Sequence, residues 1–113
     1  MGQVRIDKWS GDRRGDGIRP DEEAFVEWVR QQPDHVVGVL TWFYWSGDDE
    51  IPPFDEPDVL LGVERRATDG RMLCQYVSVG DIIFDPPESW AALLELAEAG
   101  FDRLVEQEGA VIA

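Results

Sequence analysis

Apolar and polar positions alternate along this chain in runs short enough to mark its elements one by one. Val4-Arg5-Ile6-Asp7-Lys8-Trp9 alternates with period two and predicts a first, half-buried strand. A Gly-, Asp- and Arg-rich stretch, residues 10–17, reads as a loop. Arg19-Pro20-Asp21-Glu22-Glu23 then has the marks of a helix start. Proline suits the first turn, and acids complement the positive end of the helix dipole. The helix is expected to continue through Gln32, with Phe25, Trp28 and Val29 as its buried stripe, and to stop at Pro33-Asp34.

The stretch from Val36 to Trp45 contains no charge and is rich in β-branched and aromatic residues. It predicts a strand covered at least in part on both faces. Val37, Val39, Thr41, Phe43 and Trp45 share one side; Val36, Leu40, Trp42 and Tyr44 share the other. Residues 46–58 hold six acids, three prolines and no base, and read as a stiffened acidic loop. Val59 to Arg65 is the next strand, with Val59, Leu61 and Val63 on one side. A turn follows at Thr68-Asp69-Gly70, and the chain returns from Arg71 to Val79 with Leu73, Gln75 and Val77 opposite Met72, Cys74 and Tyr76. Ile82-Ile83-Phe84 is expected as a short strand. The last element is a helix from about Pro87 to Gln107, carried by Trp90, Leu94, Ala97, Phe101 and Leu104, with Asp85 or Ser89 as its cap, Gly109 as its stop and Gly100 as a kink or a close-packing point. Together these predict one domain over residues 1–113. Its class is α+β: an antiparallel sheet of four to five strands with two helices packed on one face.

Charge changes the picture more than composition does. The chain has 24 Asp and Glu against 10 Lys and Arg, a net charge of −14. A field of that sign repels nucleic acid and anionic membranes and attracts basic partners, although acidic surfaces also serve solubility alone. Nine of the ten basic residues are Arg and there is no Asn, a composition associated with GC-rich bacterial or phage genomes. No charged-then-apolar leader opens the sequence and no apolar run is long enough to cross a bilayer, so the cytoplasm is the expected compartment.

Catalytic chemistry is sparse. Cys74 is the sole cysteine, inside a strand-like run, and reads as a buried, inert thiol. His35 is the sole histidine, between a turn aspartate and an apolar strand, without an evident partner. Neither a nucleophile–base pair nor a zinc ligand set is expected, and the acidic loop lacks the spacing of a calcium loop. The sequence implies no metal and no cofactor. Arg65, Arg66 and Arg71 gather at a hairpin, where charge protects a sheet edge.

The order of elements resembles the small acidic immunity proteins of bacterial toxin systems, in particular the α+β group that includes immunities to deaminase toxins. The likeness rests on the early helix with Phe25 to Val29, then Leu40-Thr41-Trp42, then Ile51-Pro52-Pro53 leading into Val59-Leu60-Leu61-Gly62-Val63. The hairpin to Tyr76, Gly80-Asp81 and the Pro-initiated last helix complete it. It covers residues 20 to 105 as a pattern of elements. The family layout implies a closing strand with a Trp, where this chain has Gly109-Ala110-Val111-Ile112-Ala113.

The resemblance and the charge imply a non-enzymatic inhibitor, an immunity protein or antitoxin, that binds a basic toxin or nucleic-acid-acting domain. Its expected binding surface combines the aromatic anchors Trp42, Tyr44, Trp45 and Phe54 with an electrostatic rim of Asp48, Asp49, Glu50, Asp55, Glu56 and Asp58. An alternative is a phage-encoded anti-defence protein that mimics DNA, with a footprint extending to Glu95, Glu98, Asp102 and Glu106. A third reading is a small structural or adaptor domain. A homodimer through an exposed strand edge is a further expectation compatible with the sequence.

Overall fold

A computed structural model describes residues 1–9, 22–45 and 54–113, with the side chains of 7–9, 41–45 and 54–58 outside the description. The elements are β1 (Gln3–Trp9), α1 (Glu23–Arg30), β2 (Val36–Trp45), β3 (Phe54–Arg66), β4 (Met72–Ser78), a 3-10 turn (Gly80–Phe84) and α2 (Pro87–Glu108). The class is α+β, a four-stranded sheet in the order β1-β2-β3-β4.

The sheet is mixed where an antiparallel one was expected. β2, β3 and β4 form antiparallel pairs, but β1 runs parallel to β2, with Val4 beside Gly38 and Ile6 beside Leu40. The helix between them supplies the reason. Parallel neighbours need a long crossover, and the segment containing α1 carries the chain back to the end of the sheet where β1 began.

Both helices cover one face. Phe25, Val26 and Val29 of α1 meet Val36 and Leu40 of β2. Trp90, Leu94, Ala97 and Phe101 of α2 close over Val59, Leu61, Val63 and Leu73 of the two following strands. Period-two alternation explains the selection, since the ladder sets Val36 opposite Val63 and Leu40 opposite Val59. Val26 joins the buried stripe of α1, while Trp28 is only half-buried. Trp28 nonetheless completes an aromatic triangle. Phe25 and Trp90 meet edge-on at 5.4 Å, Trp28 and Trp90 at 5.8 Å, and Phe25 and Trp28 stack at 6.3 Å between ring centroids. The Trp90 indole N–H donates to the Ile82 carbonyl at 2.8 Å, so this buried ring has its polar group satisfied.

Several local expectations hold. Val36, Val37, Val39 and Leu40 are all buried, so this part of β2 is covered on both faces. Gly70 has a φ of 92°, and Asp69 accepts from the Arg71 backbone N–H at 3.0 Å to close the hairpin. Gly109 stops α2 in the left-handed region at φ 59°. Gly100 lies inside an uninterrupted helix, buried against Gln75; a Cβ there would stand 3.0 Å from that side chain.

Others are corrected. Ile82-Ile83-Phe84 belongs to the 3-10 turn and not to a strand: Gly80, at φ 52°, and Pro86-Pro87 bracket a segment too short to pair, and only Ile83 is fully buried. Neither Asp85 nor Ser89 caps α2. Its N-cap is Pro86, whose carbonyl accepts from the Ser89 backbone N–H. α1 stops at Arg30, two residues early. Most importantly, residues 54–58, expected in the acidic loop, form the first half of β3. Pro57 is tolerated there for a reason the ladder makes plain. Glu64 donates to the His35 carbonyl, so even-numbered residues of β3 face β2, and the nitrogen of Pro57 faces the other edge. β4 pairs only from Leu60 onward and asks nothing of that edge. The loop at 10–17 and the helix-start residues 19–21 lie outside the described residues.

The tail extends the line of β2. Ala67 bridges Ile112 antiparallel, Thr68 donates to the Val111 carbonyl at 2.7 Å, and Ala113 donates to the Arg66 carbonyl at 3.1 Å.

If the aromatic triangle joins the helices, Trp90→Ala should cost about 3–5 kcal/mol in urea unfolding. Trp90→Phe should cost much less, about 1–2 kcal/mol, for the lost hydrogen bond and smaller ring. Equal losses for the two variants would remove the triangle's assigned role.

Candidate partner-binding surface

The expected binding residues fall into two groups. Trp42, Tyr44 and Trp45 lie on the distal half of β2; Phe54, Asp55, Glu56 and Asp58 lie on the facing half of β3. Asp48, Asp49 and Glu50 lie outside the described residues. The ladder brings the first two sets together, pairing Trp45 with Phe54, Tyr44 with Asp55, Phe43 with Glu56 and Thr41 with Asp58. Aromatic and acidic positions therefore share one hairpin ladder, and not a strand beside a separate loop.

A second acidic surface is formed by α2. Its 22 residues span about 33 Å. Glu88, Glu95, Asp102 and Glu106 fall on one exposed side, and Glu98 stands exposed beside them. Arg103 is the only base of the helix. Among the acids whose side chains are described only Glu22 is buried and only Glu64 is half-buried; the others are exposed.

Glu64 sits on the sheet face away from the helices, held by two neighbours. Arg5 donates to its carboxylate at 3.0 Å and to the Tyr76 hydroxyl at 3.1 Å, and that hydroxyl donates to Glu64. The Tyr76 ring reaches Glu64 by crossing Gly62, where a Cβ would collide with it. This cluster straps β1 to β3 and β4 over Val37 and Val39. Cys74 is paired with Glu64 in the ladder and is half-buried, where a fully buried thiol was expected. Burial first, and then the Glu64 charge, push its pKa above the usual thiol value of 9.0.

Sequence reasoning missed the surroundings of His35. Its ring lies 3.3 Å from the Arg65 guanidinium on one nitrogen and 3.7 Å from the Glu98 carboxylate on the other. With Asp102, and with Val63 and Phe101 as its floor, it lines an open cleft of about 190 Å³. No local signal joins positions 35, 65 and 98; only the β2–β3 register and the placement of α2 do. No Ser, Thr or Cys lines the cleft, and among the described residues no group of three or more His, Cys, Asp and Glu side chains could hold a metal ion. The three hairpin arginines act as ties: Arg65 to His35, Arg66 to the Gly70 carbonyl at 2.9 Å, and Arg71 to Asp69 at 2.7 Å and Glu108 at 3.2 Å.

A shallow apolar groove of about 520 Å³ runs between α1 and the start of α2. Trp28, Trp90 and the exposed Phe84 line it, with Glu27 and Asp85 at its rim. Among the described residues no helix is long and apolar enough to cross a membrane. Comparison with protein families, with curated proteins and with solved structures finds no match to this chain.

The Cys74 thiol tests the description of the open face. With its pKa raised, it should react with iodoacetamide at pH 8.5 more slowly than an unstructured cysteine peptide, and urea should abolish the difference. Folded protein reacting as fast as the peptide would contradict the placement.

Proposed function

We propose that this protein is a non-enzymatic inhibitor, an immunity protein or antitoxin, that binds a basic toxin or nucleic-acid-acting domain in the cytoplasm. The observation that supports this most directly is the outward placement of its acids. The chain carries a net charge of −14, and of the acids whose side chains are described all but Glu22 and Glu64 are exposed, Glu64 being held by an arginine and a tyrosine. Acids so placed compete with phosphate for the Arg and Lys of a nucleic-acid channel. The hairpin supplies aromatic positions, Trp42, Tyr44, Trp45 and Phe54, in the same ladder as Asp55, Glu56 and Asp58. Steering comes from the acids and residence time from the aromatics. No metal or cofactor enters this reading.

A second reading has its own support. The acidic side of α2 runs for about 27 Å from Glu88 to Glu106, a rigid row of negative charge of the kind a DNA mimic presents. In that case the protein is a phage-encoded anti-defence factor and α2 is the surface that binds.

Charge reversal separates the two readings. The partner is first captured from source-cell lysate at low salt, released at high salt and identified. Its association rate is then measured against two variants. Asp48→Lys with Asp49→Lys and Glu50→Lys should slow association by about tenfold or more and flatten its salt dependence if the hairpin binds. Glu95→Lys with Asp102→Lys and Glu106→Lys should do so if α2 binds. If no basic protein is captured, or if neither variant changes the rate, the inhibitor reading fails and the adaptor reading gains.

A further inference from the structure

The two edges of the sheet differ in a way that the acidic surface makes meaningful. β1, at one edge, carries Arg5, Asp7 and Lys8 among its seven residues, the usual protection of an exposed strand. β4, at the other, reads Met-Leu-Cys-Gln-Tyr-Val-Ser and carries no charge at all. Its hydrogen-bonding phase follows from its two ends. Val79 donates to the Val59 carbonyl, and Ala67 to the Arg71 carbonyl. Residues 73, 75 and 77 therefore face β3, and Met72, Cys74, Tyr76 and Ser78 turn their N–H and C=O groups outward. No strand among the described residues pairs with them.

The neighbouring side of α2 is also nearly free of acids. Gly100 packs on Gln75, so the side of the helix nearest β4 is the one that Gly100 shares with Leu93, Leu96, Arg103 and Gln107. Leu96 is 61% exposed there, and Met72 at the start of β4 is 47% exposed. Apart from Glu108, which is tied to Arg71 beside the start of β4, the acids of α2 lie on its other sides. A molecule of charge −14 thus keeps one strip whose nearest acids, Asp69 and Glu108, are tied to Arg71 at its end, and that strip holds a strand edge with no partner among the described residues.

We infer that β4 is the interface of a homodimer, in which two copies join their β4 strands antiparallel across a two-fold axis at Gln75 and so continue the sheet from one copy into the other. A basic partner would gain nothing electrostatic from this strip. A second copy, itself strongly negative, meets fewer acids along this strip than along the acidic side of α2. The register is fixed by which residues face outward. Met72 lies opposite Ser78 of the second copy and Cys74 opposite Tyr76 of the second copy, each a hydrogen-bonded pair. On the helix side Leu73 lies opposite Val77 of the second copy, and the two Gln75 residues meet. The inference is independent of the inhibitor reading.

Sedimentation velocity on the full chain, from micromolar to millimolar protein, tests it. Wild type should form a dimer that tightens as NaCl is raised, because salt screens the repulsion between two acidic bodies. Met72→Lys with Ser78→Lys sets like charges directly opposite in both symmetric pairs and should weaken the dimer about tenfold or more. Met72→Lys with Ser78→Glu sets opposite charges in the same two pairs and should restore it. Both variants change exposed side chains, and thermal melts should match wild type. A monomer at every concentration and salt overturns the inference, as does a dimer that responds equally to the two variants. So does a monomeric wild type whose edge variants instead lose the captured basic partner, since the edge would then belong to that partner.

Discussion

The two helices are joined by one contact, the meeting of Phe25, Trp28 and Trp90. α1 spans only eight residues, too short to hold itself helical in water. Its stability comes from setting Phe25, Val26 and Val29 onto β2, and from the Trp90 ring against which Phe25 and Trp28 lie. Trp90 in turn is fixed by its hydrogen bond to Ile82, which ties the start of α2 to the 3-10 turn before it. With both helices on one face, the opposite face of the sheet is covered, among the described residues, by its own side chains. Arg5, Glu64 and Tyr76 do this near Val37 and Val39. The half-buried Glu64 is tolerable because a guanidinium and a phenol satisfy it, and Gly62 is required because any side chain there would displace the ring that reaches it.

Much of this was legible in the chain. The buried faces of β2 and β3 followed from period two, and the core of α2 from Trp90, Leu94, Ala97 and Phe101 at helical spacing. The turn at Gly70 and the stop at Gly109 followed from the φ that glycine permits. What failed did so where a local rule met a non-local one. Asp55-Glu56-Pro57-Asp58 reads as loop by composition, since three acids and a proline in four residues oppose a central strand. It is strand because β2 is long enough to pair with it, while β4 ends at Ser78, opposite Leu60, and makes no demand on the proline nitrogen. The parallel β1 was lost in the same way. Consecutive strands suggest a meander, but the helix after the first one changes the direction in which its neighbour must run.

The candidate surface was legible only in its chemistry. Trp42, Tyr44 and Trp45 could be named, and so could Asp55, Glu56 and Asp58, but their arrangement in one ladder depends on pairs of residues nine or more positions apart. The cleft at His35 shows the limit more sharply. Its four polar members come from the start of β2, the end of β3 and two turns of α2, and no spacing along the chain announces them.

Charge is sorted in this protein, and the sorting constrains association more than the total does. Long-range repulsion between bodies of like sign falls off over a Debye length, whereas strand pairing acts only at contact. A protein with acids on every side would stay monomeric and bind any basic surface it met. Here α2 divides the surface along its length. One side carries Glu88, Glu95, Asp102 and Glu106, and the side over β4 carries Leu93, Leu96 and Gly100 with the one base of the helix. If the acidic side binds a basic partner and the neutral side a second copy, salt acts with opposite sign on the two, weakening the first and strengthening the second. A single ionic-strength series, read by both partner binding and self-association, reports the two surfaces separately, because no common change in stability could move them in opposite directions.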